Sequence, residues 1–572
     1  MTVIRAIEIE NFRGVKALKW LPREGVNCLV GPGDSGKSTI LDAIDYCVGA
    51  RRALQVTDSD FCVLDFEKPI CIRVTLGSLP DELKSIDKYG LYLCGFDPAA
   101  GQVLAEPQAD CETVLTVQLL VESDLEPQWS LVSARATAQG QSRSLNWADR
   151  VRISPTRLGA VNDNNLTWRR GSILNRLSDE RADASKELAK AAREVRAALG
   201  AQSSAQLAEA LALVTGVAKG LGIPIGSEVK ALLDATSASF AGGTISLHDE
   251  WGIPLRALGL GSTRLLIAGL QRQAAEHSSI ILVDELEHGL EPHRIMMLLA
   301  ALGAKDQSPK LQVFMTTHSP VAVRELSSSQ LFVLRRHEDG HHALAVSASA
   351  DVQGTIRKFP EALLARTVFV CEGASEVGLM RGLDQLRAAN GHPPIASYGC
   401  ALVDGGGTEL FKRALAFQSL GYRVATMRDS DVHPTPDLEA QFVAAGGTTF
   451  RWREGRALED ELFLSVETQT VSKLLELAVS AKEEWLVNQH IKSASLDAMD
   501  LAAIRAECAA TISENGRIIL GKAARSKGTK GWFKSVGVME EAARDIIGPE
   551  LTDPAIHQFL QGIFNWIVEG AC

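Results

Sequence analysis

The chain has 572 residues, a formal net charge of −11 and an apolar content of 46%. This length suits roughly three or four domains, and the apolar content favours several buried cores over disorder. The acidic balance argues against nucleic-acid binding through overall charge, so such binding would need a local basic segment. No apolar run of about 18 residues occurs, so no membrane span is expected.

The ten cysteines are scattered without a C-x-x-C pair. Such a pattern is typical of a reduced, cytoplasmic protein rather than of a disulfide framework or a zinc site. The first ten residues mix charges with apolar residues, which predicts a strand rather than a signal peptide.

The first motif is a glycine-rich loop between a predicted strand, residues 26–30, and a predicted helix that starts near residue 40. It matches G-x-x-x-x-G-K-[ST], in which glycines let backbone N–H groups approach phosphates. Lys37 is expected to reach the β- and γ-phosphates, and the Ser38 hydroxyl to bind Mg²⁺. The candidate nucleotide-binding residues of this loop are Gly31, Pro32, Gly33, Asp34, Ser35, Gly36, Lys37, Ser38 and Thr39.

A second motif follows the apolar run 280–283, where Asp284 and Glu285 stand in succession. Asp284 is a candidate to hold the Mg²⁺ water shell, and Glu285 to polarise the attacking water. After another apolar run, 311–315, His318 is placed to sense the γ-phosphate. Each motif is weak alone, but a P-loop, an acidic strand end and a histidine in this order predict an ATPase.

Just before the acidic strand, Gly259, Gly261 and Ser262 are expected to open a helix and to present N–H groups to an anion. With the opening stretch 7–14 and the stretch 287–292, the first 360 residues resemble the ABC-type ATPase heads of the SMC and recombination-repair class. Gly261 and Ser262 are similar to part of that family's signature motif, although the usual Ser-Gly-Gly-Gln is not kept. The resemblance implies a homodimer in which the signature of one protomer caps the P-loop of the other.

Between these motifs, short alternating runs over residues 68–133 predict an antiparallel meander. Residues 178–238 are rich in alanine and leucine and predict a helical insert. At roughly 90 Å as one helix, it is too short for the long coiled coils of SMC proteins. It is therefore expected to be a compact dimerisation element.

The last third of the chain carries acids after predicted strands. Glu372 and Glu376 follow the run 367–370, and Asp429 and Asp431 follow the run 424–428. A further carboxylate comes from Glu459, with Asp460 as the alternative because the sequence does not decide the register. Parallel strands bring their carboxyl ends to one edge, and oxygen-only ligands there suit Mg²⁺ or Mn²⁺. Two such ions support phosphodiester hydrolysis.

These acids resemble the TOPRIM fold of topoisomerases, primases and related nucleases. A TOPRIM unit behind an ABC head is the arrangement of the overcoming-lysogenization-defect (OLD) nucleases, which include the nuclease subunit of the Gabija anti-phage system. The resemblance implies a catalytic role for Glu372 and Asp429, and two metal ions bound by a shared set of acids. That set is Glu372, Glu376, Asp429, Asp431 and Glu459.

The stretch 516–535 contains six basic residues and no acid, which favours contact with a DNA backbone over a merely solvated loop. By the same resemblance a lysine stabilises charge at the scissile phosphate. Lys534 is the candidate, and Lys530 is the alternative.

The predicted fold class is α/β, with an ABC/SMC-type ATPase head, an inserted helical dimerisation element and a TOPRIM domain. The predicted function is an ATP-binding, Mg²⁺- or Mn²⁺-dependent DNA endonuclease of the cytoplasm, acting in anti-phage defence or DNA processing. The expected partners are DNA, a second or further copy of the chain, and a helicase or other defence protein, but no membrane. The expected domains are residues 1–177 with the P-loop, 178–238 as the helical insert, 239–360 as the rest of the ATPase, and 361–572 as the nuclease domain.

Two alternatives stay open at this point. One is an ATPase switch whose second domain binds nucleic acid without cutting it. The other is a regulatory subunit that is silent until a partner joins. The residues also leave open whether ATP activates or inhibits cutting.

Overall fold

The structure is a computed structural model, and it divides into two compact units, Met1–Ser347 and Ala348–Cys572. Residues 178–206 and 234–238 of the expected helical insert lie outside the part that is described. Residues 208–220 form a helix, as predicted, whereas residues 230–233 form a strand, so the prediction of a helix is wrong there. The described residues are 2–158, 166, 172–177, 207–233, 245–274, 279–347, 350–431, 436–526, 531–551 and 553–570.

The first unit is built on one large mixed sheet beside a separate hairpin. Its strands are β1 (Val3–Phe12), β2 (Val15–Trp20), β3 (Val26–Val30), β4 (Ile70–Gly77), β5 (Leu93–Asp97), β6 (Gln102–Leu104), β7 (Glu112–Val121), β8 (Pro127–Val132), β9 (Thr156–Leu158), β10 (Lys230–Leu233), β11 (Ile245–His248), β12 (Ile280–Val283), β13 (Gln312–Thr316), β14 (Leu331–Arg336) and β15 (His341–Ala345). Its helices are α1 (Lys37–Val48), α2 (Ile86–Tyr89), α3 (Ala134–Ala138), α4 (Trp147–Ile153), α5 (Ile173–Leu177), α6 (Ala208–Gly220), α7 (Leu260–Gln273), α8 (Pro292–Ala301) and α9 (Pro320–Glu325).

The large sheet has an antiparallel half and a parallel half. Its order is β6-β5-β7-β4-β1-β2-β15-β14-β3-β13-β12-β9, with β8 paired to β7, and β10 pairs separately with β11. Strands β4 to β8 pair antiparallel, as predicted over residues 68–133. They do not form the predicted meander, because β7 lies between β4 and β5 in the sheet. Strands β14, β3, β13, β12 and β9 run parallel. Every residue of β3, β12 and β13 is buried, as expected for strands covered on both faces.

The second unit has a four-stranded, all-parallel sheet in the order β17-β16-β18-β19. These strands are β16 (Thr367–Cys371), β17 (Cys400–Asp404), β18 (Arg423–Arg428) and β19 (Thr448–Arg451). The helices are α10 (Ala350–Lys358), α11 (Ala374–Ala389), α12 (Leu410–Gln418), α13 (Pro436–Ala444), α14 (Leu458–Leu464), α15 (Thr468–Ala481), α16 (Glu484–Ser495), α17 (Leu501–Cys508), α18 (Glu514–Ala524), α19 (Val536–Glu541) and α20 (Pro554–Glu569).

Residues 350–365 form secondary structure at the start of this unit. They fold into α10 and a short 3-10 helix, Pro360–Leu364. The carbonyl of Leu363 accepts a hydrogen bond of 2.6 Å from the Tyr422 hydroxyl, which ties the segment to the end of the sheet.

Two glycines let α11 pack closely against α19. A methyl carbon at Gly378 would lie 2.6 Å from the Val536 carbonyl oxygen, and one at Gly382 would lie still closer to the Glu540 carbonyl oxygen. Only glycine permits this approach, because both distances are shorter than any real contact of a Cβ atom. The two helices are thus held backbone to backbone.

Helix α20 helps to bury the central strand of the same sheet. The rings of Phe369 on β16 and Trp566 on α20 lie 6.0 Å apart, and Arg423 donates to the Trp566 carbonyl. Both aromatic residues belong to the large apolar core of this unit. Among the described ranges, no helix has the length and apolar character needed to cross a membrane.

Candidate functional site

The P-loop joins β3 to α1, and its last residue before the helix has a left-handed backbone conformation. Gly36 is the N-cap of α1, with φ 88° and ψ 10°. Lys37 is 4% exposed, and its ammonium donates to the Gly31 carbonyl (3.2 Å), the Pro32 carbonyl (2.7 Å) and the Ser35 hydroxyl (3.2 Å). Burial lowers the pKa of Lys37 to about 8. The loop therefore holds a buried cation at the amino end of a helix, which is an anion-binding arrangement.

Ser38 and Asp284 meet at the carboxyl edge of the parallel strands. The Ser38 hydroxyl donates to Oδ1 of Asp284 at 2.9 Å, and the Thr316 hydroxyl donates to the same oxygen at 2.7 Å. A hydroxyl oxygen beside a carboxylate oxygen is a donor set that fits Mg²⁺. Thr316 was not singled out in the sequence, since a threonine at a strand end carries no motif of its own.

Glu285 adopts an unusual backbone conformation. Its φ is 46°, and its amide donates to the Thr316 hydroxyl at 2.8 Å. Its side chain is 59% exposed. A residue other than glycine in this region costs about 1–3 kcal/mol and is held by its surroundings. The carboxylate next to Asp284 is therefore presented to solvent by a constrained turn.

His318 follows β13 at the same edge. Its amide donates to Oε1 of Glu287 at 2.6 Å, and the Thr317 hydroxyl donates to Oε2 of Glu287 at 2.6 Å. Burial lowers the pKa of His318, and the charge of Lys37 lowers it further. The imidazole is thus favoured in its neutral form at neutral pH. Glu287, which ties the stretch 287–292 to this histidine, was also missed as a site residue.

The predicted signature residues open α7. A methyl carbon at Gly261 would lie 2.8 Å from the Gly289 carbonyl oxygen, and the Ser262 hydroxyl accepts from Arg294 at 3.2 Å. Both residues thus contact the stretch that follows the acidic strand.

Arg264, two residues further along α7, connects the signature stretch to the acidic turn. It is 1% exposed and donates to three main-chain oxygens. These are the carbonyls of Asp284 (3.1 Å), Glu285 (3.1 Å) and His288 (2.8 Å).

In the second unit, the predicted acids follow β16 and β18 or lie on α11 and α14. Glu376 is in the first turn of α11 and accepts from the Gly373 amide at 2.8 Å. Glu372 accepts from the Asp429 amide at 2.7 Å, and Asp429 accepts from the Leu458 amide at 2.8 Å. These bonds join the three chain segments at the carboxyl edge of the sheet, as predicted for parallel strands.

The acids of this cluster raise one another's pKa values. Glu376 and Glu459 are each 4% exposed. Burial raises the pKa of Glu376, and Glu459 and Glu372 raise it further. Burial also raises the pKa of Asp429, with Glu376, Glu372 and Glu459 adding to the effect. Proton loss from these groups is therefore unfavourable unless a cation compensates for it.

Glu459 and Asp460 have different neighbours. Asp460 accepts from the Ala457 amide at 3.0 Å and forms an ion pair with Arg525 at 3.2 Å. Glu459 instead acts electrostatically on Glu376 and Asp429. Asp431 is turned to Arg525, at 2.9 Å. Glu459 therefore lies with the buried acids, whereas Asp431 and Asp460 share an arginine.

Lys534 is exposed, and its segment is fixed to both acid-bearing helices. Ser375 of α11 donates to the Phe533 carbonyl at 3.2 Å. The Phe463 ring of α14 lies 6.1 Å from Trp532 and 6.2 Å from Phe533. The charge of Lys534 lowers the pKa of Glu372 and of Glu459, which opposes the larger effect of burial. Lys530 lies outside the described residues.

The donor set of this cluster fits a hard divalent cation, because it is made of carboxylate oxygens alone. In the observed side-chain positions, no three histidine, cysteine, aspartate or glutamate side chains of the described residues converge as ligands of a common metal ion. Backbone amides and Arg525 take up several of the carboxylate oxygens. Binding would require these side chains to exchange partners.

The parallel sheet, the P-loop and the acidic strand of the first unit together define a nucleotide-binding ATPase. The family model described as "AAA domain, putative AbiEii toxin, Type IV TA system" matches residues 26–324. This is more than half of the chain, and the chain belongs to that family.

Short stretches of the chain also match curated proteins. The chain is 39% identical over 57 residues to the DNA replication and repair protein RecF of Chlorobium luteolum, covering 10% of this chain and 15% of that protein. It is 44% identical over 52 residues to RecF of Prosthecochloris aestuarii, covering 9% and 14%. The chain thus covers about a seventh of the length of these relatives. The first unit carries the ATPase domain that the family model describes.

Two solved structures align with part of this chain at low sequence identity. The SmcHead bound to the C-winged helix domain of ScpA aligns with 60% of this chain and 97% of its own, at 15% identity and a TM-score of 0.36. The Smc head domain with an extended coiled coil from Pyrococcus furiosus aligns with 61% and 97%, at 14% identity and a TM-score of 0.37.

Proposed function

We propose that the chain is an OLD-type DNA endonuclease, in which an ATPase head gates a metal-dependent TOPRIM site in the second unit. The observation that carries the proposal is a group of acids, with Glu376 and Glu459 buried and Glu372 and Asp429 half-buried, beside the anchored Lys534. Burying several carboxylates together costs stability, so such a group is typical of a functional site. Mg²⁺ or Mn²⁺ held by these acids would compensate the charge, and a pair of such ions would supply an activated water and charge stabilisation at the leaving oxygen.

The protein's own residues have separate tasks in this proposal. Glu372, Glu376, Asp429 and Glu459 hold the cations, and Asp431 joins them once it leaves Arg525. Lys534 contacts the scissile phosphate and balances the charge that develops there. The basic residues of α18 and the following segment contact the DNA backbone.

The ATPase head acts as the gate. Lys37 binds the phosphates, Ser38 and Asp284 hold Mg²⁺, Glu285 orients the attacking water and His318 contacts the γ-phosphate. Two copies of the chain form a dimer in which Gly261 and Ser262 of one protomer face the nucleotide of the other. ATP binding then changes the dimer and, with it, access to the acids.

The decisive experiment compares plasmid cleavage by the full chain with that by Glu376→Gln. We expect Mg²⁺- or Mn²⁺-dependent cleavage by the native protein, and loss of cleavage with unchanged ATP hydrolysis in the variant. Glu409→Gln is the matched control, since Glu409 forms an exposed ion pair with Lys412 and lies outside the cluster. Cleavage that survives Glu376→Gln would remove the proposed site. An intact plasmid under all metal and nucleotide conditions would contradict the nuclease.

A second candidate is a subunit that stays silent until a partner joins. The ion pairs of Arg525 with Asp431 and Asp460 favour it, because they withhold one predicted ligand. Arg525→Ala tests this reading. Cleavage without a partner by the variant, and not by the native chain, would support it. A native chain that cuts alone would exclude it.

A further inference from the structure

Arg157 is a cation beside Asp284, and no sequence motif includes it. It lies on β9 at the edge of the sheet, opposite Leu282 of β12. Its guanidinium contacts carboxylates of two segments: Asp42 at 2.5 Å and Asp45 at 3.6 Å on α1, and Asp284 at 3.6 Å after β12. Its side chain is 31% exposed.

The two oxygens of Asp284 have different surroundings. Oδ1 accepts from the hydroxyls of Ser38 and Thr316, whereas Oδ2 faces the guanidinium of Arg157. Oδ1 and the Ser38 oxygen are the donors that fit Mg²⁺ in an ATPase site. The carboxylate that would attract a divalent cation is thus already partly neutralised by a fixed positive charge.

Arg157 also has a second set of carboxylates on α1. Asp42 is shared, since Arg13 contacts its other oxygen and holds it in place. Arg13 is fixed in turn by Asp60 at 2.7 Å. The guanidinium therefore stays close to Asp284 and retains Asp42 and Asp45 as partners when a cation takes up the Asp284 charge.

We propose that Arg157 is a positioning residue that sets the Mg²⁺ requirement of nucleotide binding. Its charge competes with Mg²⁺ for Asp284. Nucleotide is therefore bound tightly only when the Mg²⁺ concentration is high enough to overcome that competition. A purely structural role, in which Arg157 only fastens β9 to α1, predicts a different result, because its loss would then weaken nucleotide binding with and without Mg²⁺.

The test is a Mg²⁺ titration of fluorescent ATP-analogue binding to the full chain. For Arg157→Ala, the half-saturating Mg²⁺ concentration should fall roughly five- to tenfold, the size expected for one lost, half-buried charge contact. In EDTA, Arg157→Ala should bind the analogue no more tightly than the native protein does. Arg157→Lys keeps the charge and should stay within about twofold of the native Mg²⁺ requirement, since a lysine still opposes Mg²⁺.

The matched control is Arg152→Ala on the neighbouring helix α4, whose arginine pairs with Glu82 at 2.8 Å, away from Asp284. It should leave the Mg²⁺ titration unchanged. If Arg157→Ala does not fold, Arg157→Gln replaces it, because glutamine keeps a hydrogen bond to Asp42 without the charge. The proposal would be overturned if the folded neutral variant, Arg157→Ala or Arg157→Gln, had an unchanged or higher half-saturating Mg²⁺ concentration. It would also be overturned if Arg157→Lys lowered that concentration as much as the neutral variant does.

Discussion

Gly382→Ala tests the close packing of α11 against α19. The added methyl carbon would collide with the Glu540 carbonyl oxygen and would lie 2.7 Å from the Ala543 Cβ. Neither neighbour is the free end of a flexible side chain, so the two helices must move apart. Glu376 lies on α11 and Lys534 directly precedes α19, so the same movement separates these two charged groups.

The magnitude follows from two opposing effects. Alanine in a helix is favoured over glycine by about 1 kcal/mol. Overpacking in a well-packed core costs about 1–3 kcal/mol, and a clash with main-chain atoms belongs at the upper end. The net destabilisation is therefore about 1–2 kcal/mol. In a unit of this size, each 1 kcal/mol lowers the melting temperature by about 2–4 °C.

The assay is thermal unfolding of the full chain, followed by plasmid cleavage and ATP hydrolysis. Gly354→Ala is the matched control, because Gly354 lies in helix α10 of the same unit and a methyl group there meets no atom within 4 Å. That control should be as stable as the native protein or slightly more so. Gly382→Ala should lower the melting temperature of the second unit and reduce cleavage more than ATP hydrolysis. A Gly382→Ala protein as stable as Gly354→Ala would refute this account of the packing.

Three further predictions concern the two sites. Burial lowers the pKa of Lys37 to about 8, so its ammonium is charged below that pH and neutral above it. In an equilibrium titration, ATP affinity should therefore fall as the pH rises from 8 to 9.5. The fall should be smaller for Lys37→Arg. Glu459→Gln should abolish metal-dependent cleavage, whereas Asp460→Asn should keep most of it; the reverse order would assign the ligand to Asp460. Thr316→Val removes the hydroxyl that donates to Asp284 and accepts from the Glu285 amide. Steady-state assays should show ATP hydrolysis reduced about tenfold with nucleotide binding retained. This is the effect expected for a lost hydrogen bond worth about 1–1.5 kcal/mol.

The elements of the ATPase site could be predicted because local sequence determines them. The runs 26–30 and 280–283 are short, apolar and β-branched, and each forms the buried parallel strand that was expected. Glycines follow the first run and acids the second, so both the elements and their carboxyl ends were visible in the sequence. In the second unit, the run 367–370 predicted the strand that the structure has at Thr367–Cys371 on the same grounds.

Contacts between distant segments could not be predicted in this way. Arg157 and Asp42 are 115 positions apart, and nothing in either neighbourhood indicates the other. The choice between Glu459 and Asp460 depends on which carboxylate caps α14, and both types of residue suit a first helical turn. The pair Gly378 and Gly382 is visible as a spacing, but only the position of α19 shows why a side chain is excluded there.

The contact between Phe369 and Trp566 has a consequence for the synthesis of the protein. Strand β16 is the first strand of its sheet to leave the ribosome, and α20, which helps to bury it, emerges after all the predicted acids and Lys534. A nascent chain that ends before α20 leaves the apolar surface around Phe369 uncovered and cannot complete the core of the second unit. The ATPase head, whose strands all precede this unit, can fold earlier. Translation therefore delivers the head before the acids are assembled, and the order of synthesis itself delays any activity of the second unit.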